Sequence, residues 1–188
     1  MKADSMYWDT CVFTAYLNNE VDAYGNYISH IGQYLDEAVD GKCKIYCSSI
    51  TLAEITRGNL NTSKYQKFED FLDEYSAAVV QVTPDPVIMS LAGDLRSLQY
   101  EKTGGKRKLL TPDAIHIASA LVIQDVYKVP IKALHTFDAG NSKGPEGRSL
   151  PILLAETWCD AIADDPIAQR LINLPRCKPE HPMPKFPL

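Results

Sequence analysis

Apolar residues along this chain recur in two rhythms, short strand-forming runs and longer runs spaced at three and four residues, and the rhythms take turns. Residues 5–8 are aromatic-rich and read as a strand, which gives way at Asp9-Thr10 to Cys11-Val12-Phe13 and Ala15-Tyr16-Leu17 at helical spacing. Tyr24-Gly25-Asn26-Tyr27 reads as a turn. Ile28, Ile31, Tyr34, Leu35 and Ala38 predict a helix that Gly41 ends. A second strand is expected over 44–48, a helix from 51 to about 58, and another over 64–77 with Tyr65, Phe68, Phe71, Leu72 and Tyr75 as its apolar stripe. Val79–Val82 is a β-branched strand closed by Thr83-Pro84-Asp85-Pro86, and 87–100 is helical with Ile88, Leu91, Leu95 and Leu98 on one face. Beyond Gly104-Gly105 the pattern predicts a helix over 112–125, a strand over 131–136, a polar loop, and a last short strand over 151–155.

Strands separated by helices specify an α/β class with a mainly parallel sheet, because parallel neighbours need crossover connections. At 188 residues the chain suits one domain better than two. Residues 1–158 form the expected domain, and 159–188 read as a C-terminal extension with a proline-rich tail. Five of the twelve prolines fall in the last fourteen residues, so this tail is expected to be extended, either loose or laid across the surface.

Composition narrows the setting. Apolar content of 45% and charged content of 23% are ordinary for soluble proteins, and no apolar run is long enough for a membrane span. The amino terminus lacks the apolar core of a secretory signal. Five scattered cysteines do not suggest a disulfide framework or a zinc site and read as small core residues. A soluble, reduced, cytoplasmic protein without a membrane partner is expected. The net charge of −5 argues against broad electrostatic binding to nucleic acid. One basic cluster, Lys102 with Lys106-Arg107-Lys108, is either a solvated loop or a phosphate-contacting one.

Four acidic residues carry the candidate chemistry, and each has a structural explanation of its own. Asp113 follows Thr111-Pro112, where Thr111 would cap a helix and the acid would sit at the positive end of its dipole. It also shares a helix face with Ile117 and Ala120, which points it toward the core. Glu54 lies in Thr51-Leu52-Ala53-Glu54, the form of a capping box. Asp138 follows a strand, where Asp commonly makes an Asx turn. Asp9 ends a strand between apolar neighbours, and an ionised carboxylate there needs a partner.

Taken together they say more. In an open parallel sheet, ligands gather outside the carboxyl ends of the strands, and all four acids can meet at that rim. Two like charges ~4 Å apart repel by roughly 4 kcal/mol at an effective dielectric of ~20, so some acids are protonated or cations sit among them. Oxygen ligands without organised His or Cys select Mg²⁺ or Mn²⁺, one or two ions, and these promote phosphodiester hydrolysis.

At four places, in order, the chain resembles the PIN-domain nucleases, and most closely the VapC-like toxins of bacterial toxin–antitoxin pairs. The four are Tyr7-Trp8-Asp9-Thr10, the stretch Ser48-Ser49-Ile50-Thr51-Leu52-Ala53-Glu54-Ile55, the stretch Asp113-Ala114-Ile115-His116-Ile117-Ala118-Ser119-Ala120, and Thr136-Phe137-Asp138. The resemblance spans roughly residues 5–155. It implies a three-layer α/β/α sandwich and a Mg²⁺ or Mn²⁺ site on Asp9, Glu54, Asp113 and Asp138. It also implies RNA as the substrate and a homodimer held inactive by an antitoxin.

Where the family often has a further acid or aromatic after the last Asp, this chain has Ala139-Gly140-Asn141, so Asn141 could stand in as a neutral ligand or supporting donor. His116, one turn beyond Asp113, reads as a hydrogen-bonded or exposed helix residue or as a phosphate or water contact. Thr10 and Thr136 are expected to support the liganding carboxylates through their hydroxyls. Arg57, Lys106, Arg107 and Lys108 are candidates for touching an RNA backbone. The expected function is a metal-dependent endoribonuclease, the toxin of such a pair; the competing reading is a PIN-like protein- or RNA-binding module with little or no catalysis. An aspartyl-phosphate mechanism on Asp9 is disfavoured, since the usual Asp-x-Asp is absent at Asp9-Thr10-Cys11.

Overall fold

Side chains along β1 (Asp4–Trp8) point alternately to two different cores. Tyr7 belongs to one, while Met6 and Trp8 belong to the other. This computed structural model describes residues 3–98, 100, 109–140, 143–144 and 147–181. The same alternation runs through β2 (Cys43–Ser48), whose Cys43, Ile45 and Cys47 face the Met6 side while Tyr46 packs against the Tyr7 side. With β3 (Val79–Val82), β4 (Ile131–His135) and β7 (Arg176–Cys177), these strands make a five-stranded, all-parallel sheet among the described residues, ordered β3-β2-β1-β4-β7.

Helices cover both faces, so the molecule is a three-layer α/β/α sandwich. On the Met6 side lie α1 (Thr10–Leu17), the single turn α2 (Val21–Tyr24), α3 (Tyr27–Val39) and α5 (Phe68–Glu74). On the Tyr7 side lie α6 (Pro86–Ser97), α7 (Thr111–Asp125), α8 (Ala155–Cys159) and α9 (Pro166–Asn173). The short α4 (Thr51–Glu54) follows β2, and β5 (Lys143–Gly144) pairs antiparallel with β6 (Gly147–Arg148). Every residue of α7 from Ala114 to Ile123 is buried, because this helix is flanked by the sheet on one side and by α6 and α9 on others. That explains a sequence apolar almost all round.

β4 departs from strict alternation. Its register against β1 slips between Ser5↔Ile131 and Met6↔Ala133, and this irregularity lets both Ile131 and Leu134 face the α7 core. Lys132, at the slip, reaches out to Asp4 instead.

Most predicted elements stand where the periodicity put them; the helix expected over 87–100 ends at Ser97, where Leu98 turns extended, and three others differ. The helix expected over 51–58 stops at Glu54 and continues as a 3₁₀ turn at Arg57–Asn59, because Asn59 Oδ1 accepts from both the Thr56 amide and its hydroxyl and so recaps the chain. The helix expected over 64–77 is confined to Phe68–Glu74, since the Asp70 carboxylate takes the amides of Gln66 and Lys67 and sets a late start. The strand expected over 151–155 is a 3₁₀ turn, Ile152–Leu154, running straight into α8.

The final strand comes from the proline-rich stretch. The Leu134 amide donates to the Pro175 carbonyl and the Thr136 amide to the Cys177 carbonyl, and proline is tolerated because β7 is an edge. Beyond it, Tyr34 Oη donates to the Glu180 carbonyl, which ties the stretch across α3. Trp158, Cys159, Ala168, Leu171 and Leu174 all lie in the α7 core, so residues 159–174 pack as part of one body with the rest. Of the five cysteines, all unpaired, three are buried, Cys11 is half-buried and Cys177 is exposed. Among the described residues no helix is long and apolar enough to cross a membrane.

If α9 belongs to the core, Leu171→Ala should cost about 2–5 kcal/mol in urea unfolding, as buried leucines do. A loss under about 0.5 kcal/mol would show instead an appendage lying on the surface.

Candidate active site at the carboxyl end of the sheet

The chain leaves β1 toward β2 on one side, and later crosses from β3 to β4 on the other. The strand order therefore reverses beside β1, and the crevice outside such a reversal is where open parallel sheets bind ligands. Asp9 stands at the end of β1 and Asp138 three residues past β4, the neighbouring strand. Glu54 closes α4 just past β2, and Asp113 lies in the first turn of α7.

Asp9 is 7% exposed and firmly held. Its amide extends the sheet ladder by donating to the His135 carbonyl at 3.1 Å. Its Oδ1 caps α1 by accepting from the Thr10 amide at 2.7 Å, and its Oδ2 accepts from the Thr136 hydroxyl at 2.6 Å and the Cys11 thiol at 3.2 Å. Thr136 Oγ1 also accepts from the Asp138 amide at 3.0 Å, so one hydroxyl ties two of the acids together. Asp138 then takes the Ile152 amide on Oδ2 at 2.9 Å and the Gly140 amide on Oδ1 at 3.2 Å, the Asx turn that its position suggests. Gly140 has φ +83°, and a Cβ there would come within 2.9 Å of Pro151, so both conformation and space require glycine.

Glu54 does not close the capping box that its spacing suggests. Thr51 is buried in the first turn of α4 and does not serve as its cap. Glu54 Oε2 turns away to the Thr10 hydroxyl at 2.5 Å and to His116 Nε2 at 2.9 Å. Burial works against its charge, but the His116 hydrogen bond and charge and the Thr10 hydroxyl outweigh it and hold Glu54 below the ordinary carboxylate range. Thr111 likewise is not the α7 cap: Leu110 takes that position without a side-chain bond, and Thr111-Pro112-Asp113 form the first turn.

His116 sits at the middle of this network, entirely buried. Nε2 faces Glu54, stands 3.0 Å from Thr10 Oγ1 and 3.6 Å from Asp9 Oδ1, and Nδ1 faces the Tyr7 hydroxyl at 2.9 Å. Nε2 meets an ionised carboxylate, which only accepts, so the imidazole carries a proton on Nε2, while Nδ1 shares the other bond with the Tyr7 hydroxyl. Burial pulls His116 down, but Glu54, Asp9 and Asp113 together carry it above its ordinary value.

Among the described residues, Asp113 is the acid whose charge is least offset. Burial pushes its carboxyl up to about 8, Asp9, Asp138 and Glu54 add to the shift, and His116 opposes it. Asp138 is raised as well, by burial first, against its backbone hydrogen bonds and with Asp9 adding. The four acids thus act on one another across a single crevice. Among the described residues, no three His, Cys, Asp or Glu side chains stand as a ready metal-binding group.

Thr10, Thr136 and His116 are all in direct contact with the acids. Arg57 is exposed on the 3₁₀ turn three residues beyond Glu54. Asn141, Lys106, Arg107 and Lys108 lie outside the described residues. Sequence reasoning did not find Tyr7, the Cys11 thiol, or the contact of the Thr51 hydroxyl with Thr10 Oγ1 at 3.2 Å. Tyr7 had a readable signal: two residues before Asp9 on a strand, it points to the same face.

Fold and site define an α/β/α protein with four carboxylates and one imidazole gathered at a sheet switch point. Comparison of the chain with protein-family models, with curated proteins and with solved structures finds no match in any of the three.

The raised Asp113 has a pH signature. Unfolded, its carboxyl ionises near its ordinary value of 3.8; folded, it holds its proton to about 8. Wild-type stability in chelator should therefore fall as pH rises from about 4 to about 8, and Asn, which cannot ionise, lacks this loss. Asp113→Asn is expected to be the more stable protein at pH 8, by on the order of 2 kcal/mol, with the difference vanishing toward pH 4. A pH-independent difference would mean that the carboxyl is not crowded.

Proposed function

We propose that this protein is a metal-dependent endoribonuclease that hydrolyses RNA phosphodiester bonds. The observation that supports it best is the convergence of Asp9, Glu54, Asp113 and Asp138, from four separate chain segments, on one crevice at the switch point of the sheet. A half-buried carboxyl raised by desolvation first and by three neighbouring acids after it is poor design for an acid and good design for a cation-binding group.

The residues fit a hard divalent cation. Asp113 and Asp138 have raised carboxyls that a cation would ionise, Asp9 acts on both, and Glu54 has only its Oε2 engaged by Thr10 and His116. Mg²⁺ or Mn²⁺ held there would activate water and neutralise charge on a phosphodiester. The chain's own contribution is preorganisation. Thr136 fixes Asp9 and the Asp138 backbone with one hydroxyl, the Thr10 amide and hydroxyl brace Asp9 and Glu54, and the Tyr7–His116 pair aims an N–H at Glu54.

The resemblance to the VapC-like branch supports the finer points: action as the toxin of a toxin–antitoxin pair, a homodimer, an antitoxin partner and a cytoplasmic setting. The binding-module reading is the one that an inactive wild type would favour.

Structured RNA incubated with Mn²⁺ or Mg²⁺ should be cleaved, with cleavage abolished by chelator. Asp9→Asn and Asp113→Asn should each lower the rate by about 10² or more, the scale of losing one preorganised electrostatic group. Thr136→Val should lower it about tenfold or more while leaving the ligands in place. Cleavage that ignores chelator, or full activity in both Asn variants, would exclude this mechanism.

A further inference from the structure

An aromatic wall flanks the carboxylates on the β4 side. Phe137 occupies the position between Thr136 and Asp138, and its amide donates to Cys11 Sγ at 3.2 Å, the same thiol that bonds Asp9. Tyr24 stacks on Phe137 with ring centroids 4.0 Å apart and planes 25° apart. Tyr27 meets Phe137 edge-on at 5.8 Å. The exposed Lys178 holds its ammonium 5.4 Å from the Tyr27 ring centre.

Two features set this group apart from the packed aromatics of the core. Phe137 is buried, 9% exposed, but Tyr24 is only half-buried, on a helical turn with no buried residue at all. A ring with one face on Phe137 and a share of its surface still in water offers its second face for stacking. The wall is also continuous with the candidate active site. Burial raises the Tyr24 hydroxyl, and Cys11 beside it adds to the shift, as does Glu20.

A charge argument identifies the occupant. A protein with net charge −5, whose crevice gathers four acids, cannot draw its binding energy for a polyanion mainly from ion pairs. Base stacking on aromatic side chains supplies such energy without positive charge and without regard to sequence, but only for bases that are not already paired. Lys178 adds one cation for the backbone of a strand that stacks there.

We propose that Tyr24, backed by Phe137 and flanked by Tyr27 and Lys178, is a stacking subsite for one unpaired base of the RNA, next to the phosphodiester presented to the carboxylates. The subsite rests on the ribonuclease reading and narrows its substrate to single-stranded segments. Asp138 and the wall share a backbone, so a base stacked on Tyr24 places its own phosphates at the rim of the crevice.

Binding can be measured apart from cleavage. A short single-stranded RNA carrying 2-aminopurine is titrated with protein in chelator, where the proposed hydrolysis is off. Wild type and Tyr24→Phe are expected to bind alike and to quench the fluorophore. Tyr24→Leu should bind about tenfold more weakly, without the quenching, the scale of one lost base stack. A fully paired duplex of the same sequence should bind at least about tenfold more weakly than the single strand.

Because Tyr24 also packs on Phe137, a second arm leaves the protein untouched: an abasic site is moved along the oligonucleotide. One position should lose about tenfold in affinity, and the others should lose little. Wild-type affinity in Tyr24→Leu, equal loss at every abasic position, or a preference for duplex would each overturn the subsite. If the protein cleaves RNA while any of these holds, the subsite alone is wrong. If it neither cleaves nor binds RNA, the ribonuclease reading falls and the subsite with it.

Discussion

The arrangement rests on β1 being paired on both edges and covered on both faces. Its ladders to β2 and β4 fix the strand's height, and the Asp9 amide prolongs one of them by a residue. Strand alternation then divides its side chains: Trp8 anchors the α1–α3 layer, while Tyr7 reaches into the α7 layer and meets His116. Moving β1 by one residue would exchange those two sets and take Asp9 off the rim. The position of the carboxylates is therefore inherited from the most constrained backbone in the molecule.

Around that anchor, charge is balanced unevenly. Glu54 has an imidazole and a hydroxyl, and Asp9 has an amide, a hydroxyl and a thiol. Asp138 relies on backbone amides, and Asp113 is governed by burial and by its acidic neighbours. Neutral donors can settle a single carboxylate, but they cannot settle four in one crevice. The imbalance falls on Asp113 and Asp138, while Glu54 has its partner in His116.

Much of this was legible in the sequence. The order of strands and helices follows from periodicity, and the four acids follow from their places at strand ends and helix starts. Local grammar misled at Glu54 and Thr111. Both sit in sequences that normally cap helices, yet Glu54 prefers His116 and Thr10, partners brought in from more than forty residues away. The lengths of α4 and α5 were overestimated because Asn59 and Asp70 bond nearby amides, and such short-range contests leave no periodic trace. Proline density concealed β7, since Pro175 lends only its carbonyl to β4, and an edge accepts the residue that marks a tail elsewhere. Tyr7 looked like one more apolar strand residue, and only the fold reveals what its hydroxyl meets.

That edge strand gives the site a history as well as a geometry. The Thr136 amide, whose own hydroxyl steadies Asp9, is satisfied by the Cys177 carbonyl. The four acids, Tyr7, Thr10, Thr136 and His116 all precede residue 177 in the chain. A nascent chain that already carries all four acids still lacks the strand that closes their supporting edge. The order of synthesis thus leaves the backbone behind Thr136 unpaired until β7 docks, so the support of Asp9 through that hydroxyl is completed late, by a strand remote in sequence from every one of the acids.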